Sequence, residues 1–138
     1  MSEVKLSGGC GCGAVRFEIT EPLVSANYCH CTRCQHRTGA SASANGATAP
    51  GSFRVVQGED AIKAWKPEGG AEKCFCGECG SALFSRTPGD PEKIGVRLGA
   101  IEGDPGVRPS SHQYVAYAAV WEPIPDDGLP RHPEQRSK

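Results

Sequence analysis

No run of apolar residues in this chain approaches the roughly 20 needed to cross a bilayer, so no membrane span is expected. Net charge is also scarce. The 138 residues carry 15 Lys+Arg against 16 Asp+Glu, a formal charge of −1, and the pI is about 6.4. Without a basic field or a run of basic residues, no nucleic-acid partner is expected either. The segment Met1 to Leu6 lacks the apolar stretch of a secretory signal, which makes a cytoplasmic location the expectation. Apolar residues supply only 38% of the chain, while 18 Gly and 11 Pro punctuate it. A core of this composition is thin and gains from cross-linking by disulfide or metal. The length suits one domain, not two independent cores.

What the chain has is cysteine. Its eight thiols fall into three clusters: Cys10/Cys12, Cys29/Cys31/Cys34 and Cys74/Cys76/Cys79. In a reducing compartment such clustering points to metal before disulfide. Spacing agrees, because two cysteines separated by one residue are poorly placed to bond each other yet readily reach one ion. On an extended backbone, residues i and i+2 share a face, so Cys10 and Cys12 converge. Cys76-x2-Cys79-Gly80 has the form of half a zinc ribbon, whose turn aims backbone amides at the sulfurs. The triple cluster Tyr28-Cys29-His30-Cys31-Thr32-Arg33-Cys34 packs three thiols into six residues. Three such ligands can grip a tetrahedral ion from one side and leave a position open, as catalytic rather than structural zinc sites do. Spacing alone leaves the grouping open. Two closed four-cysteine sites would use all eight thiols. One closed site with Cys10, Cys12, Cys76 and Cys79, one open site with Cys29, Cys31 and Cys34, and a spare Cys74 would serve as well.

The rest of the pattern reads as a mainly β domain. Val15, Phe17 and Ile19 alternate with Arg16, Glu18 and Thr20 as a half-buried strand ended by Glu21-Pro22. A second strand is expected over Leu23–Tyr28, then one or two helical turns from Thr32 to Thr38, stopped by Gly39. Ala40 to Gly51 is small and nearly featureless, either a loop or a thin strand. Phe53–Val56 and Ile62–Trp65 read as strands around a turn, the knuckle Lys73–Gly80 feeds a strand Ser81–Phe84, and Ile94, Val96 and Leu98 mark another. Tyr114 to Trp121 is expected to be the last strand. Residues 1–121 thus form a zinc-binding β domain, and 122–138 a Pro-rich tail lying on the surface or disordered.

Gly9-Cys10-Gly11-Cys12-Gly13-Ala14-Val15-Arg16-Phe17, Cys29-His30-Cys31-Thr32-Arg33-Cys34 and Phe75-Cys76-Gly77-Glu78-Cys79-Gly80-Ser81-Ala82-Leu83-Phe84, with Pro109, His112 and Trp121 further on, resemble the glutathione-dependent formaldehyde-activating enzyme family (the GFA domain). The resemblance implies an Mss4-like fold, with small antiparallel sheets held together by zinc in a single domain. It implies two zinc ions per chain, a structural one on Cys10, Cys12, Cys76 and Cys79 and a catalytic one on Cys29, Cys31 and Cys34. Cys74 stands where relatives often carry a basic residue.

The implied reaction is that of a carbon–sulfur lyase, joining a thiol such as glutathione to formaldehyde or reversing that step, as an S-(hydroxymethyl)glutathione synthase does. Three thiolates give a bound zinc a net negative charge, which suits holding a soft substrate sulfur better than making hydroxide. Arg33, His36 and Arg37 sit beside these ligands and can offset that charge, and Arg33, His36 and Trp121 are the candidate substrate-binding residues. His30 is expected to face solvent or support the ligands from behind, His112 to be a hydrogen-bonded strand-end histidine, and Cys74 to be a buried free thiol. Trp65 and Trp121 are expected in the core or on a pocket wall. The alternative functions are a zinc-stabilised binding or scaffold module without catalysis, and a redox switch that ejects zinc on oxidation.

Overall fold

The computed structural model describes residues 3–134. Within them the chain is mainly β, in two sheets that close on one core. In chain order the strands are β1 (Leu6–Gly9), β2 (Arg16–Ile19), β3 (Ser25–Cys29), β4 (Ser43–Ala47), β5 (Phe53–Gln57), β6 (Ile62–Trp65), β7 (Glu72–Cys76), β8 (Ala82–Thr87), β9 (Asp90–Arg97) and β10 (His112–Gln113). The helix α1 spans Thr32–Thr38. Strands β1-β2-β5 form a three-stranded antiparallel sheet, and β10-β3-β4-β9-β8-β7-β6 a seven-stranded one. The larger sheet is antiparallel except where β10 runs parallel to β3.

Alternation gives the strands an apolar and a polar face, broken in β8, where a register shift against β7 leaves the consecutive Leu83 and Phe84 both buried. Val15, Phe17 and Ile19 are completely buried, and they meet Leu83, Phe84, Val96 and Cys74 from the larger sheet in one cluster. The Phe53 ring bridges the layers, its centroid 5.1 Å from Phe17 and 4.8 Å from Phe84. On the other face of the larger sheet lie Asn27, Asn45, Arg97, Ser85 and Lys73, the residues that alternate with this apolar set. That polar face is the one the helix overhangs.

The featureless stretch resolves as β4, a central strand between β3 and β9. Small residues are required there. A Cβ on Gly46 would lie 2.9 Å from Leu23 Cδ1 and 3.1 Å from Leu98 Cδ2, so a larger residue would push the core side chains apart.

The expected last strand at Tyr114–Trp121 is corrected. Strand pairing stops at Gln113, Tyr114 turns left-handed at φ 59°, and Val115–Tyr117 is a short 3-10 turn. The segment is rich in alanine and aromatics and read as a strand, but a single 3-10 turn places residues three apart on one side. The Tyr114 and Tyr117 rings accordingly face each other with centroids 6.3 Å apart. Beyond this turn the tail folds back onto β10: His132 N–H donates to His112 O (2.8 Å), and His112 N–H donates to Pro130 O (2.9 Å). The last four tail residues, 135–138, lie outside the described residues, as do Met1 and Ser2 of the N-terminal segment. Among the described residues no helix is long and apolar enough to cross a membrane.

Candidate metal centres

The first centre is assembled from two distant segments. Cys10 and Cys12 leave β1, Cys76 ends β7 and Cys79 follows it, and all four Sγ atoms lie within 4.8 Å of one another. Cys10 Sγ is 3.6 Å from Cys12 Sγ, and Cys12 Sγ is 3.9 Å from Cys76 Sγ. A tetrahedral ion with metal–sulfur bonds of about 2.3 Å holds its sulfurs about 3.8 Å apart, so the spacing fits an ion at the centre. Backbone amides support the sulfurs, with Val15 N–H donating to Cys10 Sγ (3.2 Å) and Glu78 N–H to Cys76 Sγ (3.4 Å). The Ser81 hydroxyl and amide hold the Cys79 thiol down at about 5, close to the deprotonated form a metal requires. Gly80, at φ 81°, makes the tight turn that brings Ser81 back to the knuckle.

The second centre is local. Cys29 ends β3, Cys31 caps the N-terminus of α1, and Cys34 lies in its first turn. Cys34 N–H donates to Cys31 Sγ (3.3 Å), so the helix cap is itself a ligand candidate. The three Sγ atoms lie within 4.8 Å of one another. Among the described residues no fourth His, Cys, Asp or Glu joins this group. An all-sulfur donor set of this spacing fits a soft or borderline metal ion. The neighbouring Cys29 thiol, with help from Ser43, Cys31 and Arg37, holds Cys34 down at about 4, while sharing a proton with Cys34 pushes Cys29 up.

Cys74 belongs to neither centre. It lies on the core face of β7, almost fully buried, and burial pushes its thiol up.

The second centre opens onto a cavity of about 1320 Å³ between the polar face of the larger sheet and α1. Arg33, His36 and Arg37 line it from the helix; Trp65 and Lys66 come from the end of β6 and the loop after it. Trp121 does not reach it. That residue is 65% exposed, and Tyr114 and Tyr117 hold the aromatic positions on this wall instead. Tyr117 O–H donates to Glu134 (3.0 Å), which brings the tail to the cavity rim. His30 is buried, not solvent-facing, and with His112 lies off the cavity wall. Lys73, Arg97 and the two tyrosines were missed by the sequence reading. The alternation that marks Ile94, Val96 and Leu98 as apolar already assigns Arg97 to the opposite face, and that was the available signal.

Residues 5–117 match the glutathione-dependent formaldehyde-activating enzyme family. A Halomonas elongata protein that bears this family name is 31% identical over 105 residues, covering 72% of this chain and 67% of that protein. A crystal structure of a Rhodobacter sphaeroides protein superimposes with a TM-score of 0.58 at 29% identity, covering 71% of this chain and 89% of the other. With the family match spanning most of its length and both cysteine centres assembled, the chain belongs to the glutathione-dependent formaldehyde-activating enzyme family.

Proposed function

We propose that the protein is a zinc-dependent carbon–sulfur lyase-like enzyme acting on a thiol or thiol–aldehyde adduct, in the manner of an S-(hydroxymethyl)glutathione synthase. In this reading Cys10, Cys12, Cys76 and Cys79 hold a structural zinc, and Cys29, Cys31 and Cys34 a catalytic one. The observation that carries it is the contrast between the centres: four thiols close on themselves at one, whereas three thiols face a large cavity at the other. A cytoplasmic setting, where small thiols are plentiful, suits such a substrate.

When bound, zinc would supply a Lewis acid that favours the thiolate form of a sulfur in its open position. The chain's own groups do the rest. In the addition, the thiol sulfur forms a bond to the formaldehyde carbon, the carbonyl π pair moves onto oxygen, and the proton lost by the thiol ends on that oxygen. Tyr114 is a neutral donor on the cavity wall. Burial, reinforced by Cys29 and Cys31, pushes its hydroxyl up and keeps it protonated for a hydrogen bond to an oxygen gaining charge. Arg33, His36 and Arg37 present positive or hydrogen-bonding groups beside the three sulfurs and offset their charge.

The test is the rate of S-hydroxymethylglutathione formation from ¹³C-formaldehyde and glutathione, followed by NMR against the uncatalysed background, with metal content and sulfur coordination measured on the same sample. The reading expects acceleration, two zinc ions per chain, and one site with three cysteine sulfurs. No acceleration by fully loaded protein, or four cysteine sulfurs at both sites, would overturn it and leave the zinc-stabilised binding module.

A further inference from the structure

Five cationic side chains line the cavity (Arg33, Arg37, Lys66, Lys73 and Arg97) against two carboxylates, Glu68 and Glu134. This excess stands out in a chain whose formal charge is −1. Two of the cations are grouped by the sheet itself. Asn27 pairs with Asn45 across β3 and β4, Asn45 with Arg97 across β4 and β9, and Ser85 with Lys73 across β8 and β7. One polar row therefore crosses five adjacent strands below α1, with Arg37 above it. Gly95, opposite Ser85, adds no side chain to this row, and a Cβ there would meet only Gly46 O, at 3.7 Å.

Arg97 is the centre of the row and is only 9% exposed. Its guanidinium donates to Asn45 Oδ1 (2.8 Å) and to Ser85 Oγ, both neutral acceptors. Its Nε is buried without a hydrogen-bond partner, and so is the Nε of Arg37. Among the described residues, neither arginine nor Lys73 forms an ion pair. A buried guanidinium without a counter-charge is costly. Here the cost is compounded by like charges: burial and the neighbouring Arg37 lower Arg97 to about 10, and burial, Arg97 and Arg37 lower Lys73. The thiolates of Cys34 and Cys29 offset part of this charge, but they lie at the edge of the row and give Arg97 no hydrogen bond.

We propose that Arg97, Lys73 and Arg37 form a carboxylate-binding subsite on the cavity floor, which selects thiol substrates that also carry an acid group. The proposal deepens the thiol-handling reading of the same cavity and rests on it for the substrate sulfur. A carboxylate is the matched ligand because a planar guanidinium and an ammonium at one floor give charge-assisted bonds to two oxygens. The substrate would then be held at two points, its sulfur at the three cysteines and its acid group at Arg97.

The probe is S-methylglutathione, whose capped sulfur cannot act as a thiolate, compared with its diethyl ester. Binding of each to the zinc-loaded full chain is measured by calorimetry. The acid is expected to bind at least about tenfold tighter than the ester, with the preference shrinking at high salt. Arg97→Gln should remove most of that preference by weakening the acid and leaving the ester unchanged. Lys73→Met, on a less buried residue, should reduce it in the same sense even if the arginine variant fails to fold. Equal binding of acid and ester by the wild type, or an undiminished preference in a folded Lys73→Met variant, would overturn the subsite. The two readings fail separately. Acid preference without formaldehyde turnover would remove the lyase and keep the subsite, whereas turnover without acid preference would do the reverse.

Discussion

His30 and His112 are joined ring to ring, with His30 Nε2 2.8 Å from His112 Nδ1, although 82 residues separate them. The far nitrogen of His112 continues the chain to Asp127 Oδ2, also at 2.8 Å. If the carboxylate is ionised, His112 Nε2 must donate to it; in a neutral ring Nδ1 then accepts from His30. Tyr28 stacks on His112 with centroids 5.0 Å apart. The connection runs behind β3, away from the cavity, and links the tail to the residue between Cys29 and Cys31.

The first prediction concerns this link. The His112 ring and the Leu129 amide hold the Asp127 carboxyl below the usual carboxylate range. A group depressed in the folded state contributes its stability above the unfolded pKa, about 3.9, and loses it as pH falls through the lower folded value. Hydrogen exchange at the Leu129 and His132 amides should therefore be steady from about pH 5 to 8, after correction for intrinsic rates, and lose protection below about pH 4. Asp127→Ala should expose these amides across the whole range. Unchanged protection in that variant would mean the tail is held by its backbone bonds alone.

The second prediction separates the metal centres. Cys76 is fully buried in the core cluster, whereas Cys31 is half-buried on the cavity wall. Cys76→Ser should leave little folded protein. Cys31→Ser should fold, with bound zinc reduced from two ions to one by elemental analysis and near-native circular dichroism. Equal losses of fold in both variants would contradict the division of roles.

A third prediction follows from Cys74. Cys74→Ala should keep both metals and cost about 1 kcal/mol in urea unfolding, the scale of a small buried cavity. In the native protein this thiol should resist thiol reagents until the chain unfolds. Loss of a metal ion from the alanine variant would show that the thiol is a ligand after all.

A fourth concerns the turn after β5. Gly58 has φ 78°, and a Cβ there would lie 1.8 Å from Ala14 O. Neither the backbone conformation nor the space admits a side chain. Gly58→Ala should cost about 2 kcal/mol or more, read as a lower urea midpoint at unchanged slope. A loss under about 0.5 kcal/mol, the scale of an ordinary surface change, would show that the turn can move aside.

Much of the architecture was legible because it rests on period-2 alternation and on cysteine spacing. Val15, Phe17 and Ile19 declared the core strand, and Gly39 the helix stop. The family resemblance supplied the grouping of the thiols, which spacing alone left open. The central strand Ser43–Ala47 was legible only as one of two alternatives, a loop or a thin strand. It is made of small residues because its neighbours come close, and close approach leaves no hydrophobic signal in sequence. The 3-10 turn at Tyr114 was hidden for the opposite reason, since its aromatic residues carry a strong strand preference that local geometry overrides. Lys73 and Arg97 gave no warning as a pair, because what joins them is cross-strand register rather than distance along the chain.

Strand β7 has three employers within four residues: Lys73 faces the cavity, Cys74 the core, and Cys76 the four-sulfur centre. If the four-sulfur centre holds the proposed ion, stripping it from Cys76 would unfasten one end of this ribbon and free the register that sets Lys73 opposite Ser85. A chelator acting at that remote knuckle should thus weaken acid-bearing ligands before it unfolds the chain, so that the scaffold ion is felt as a tuner of recognition.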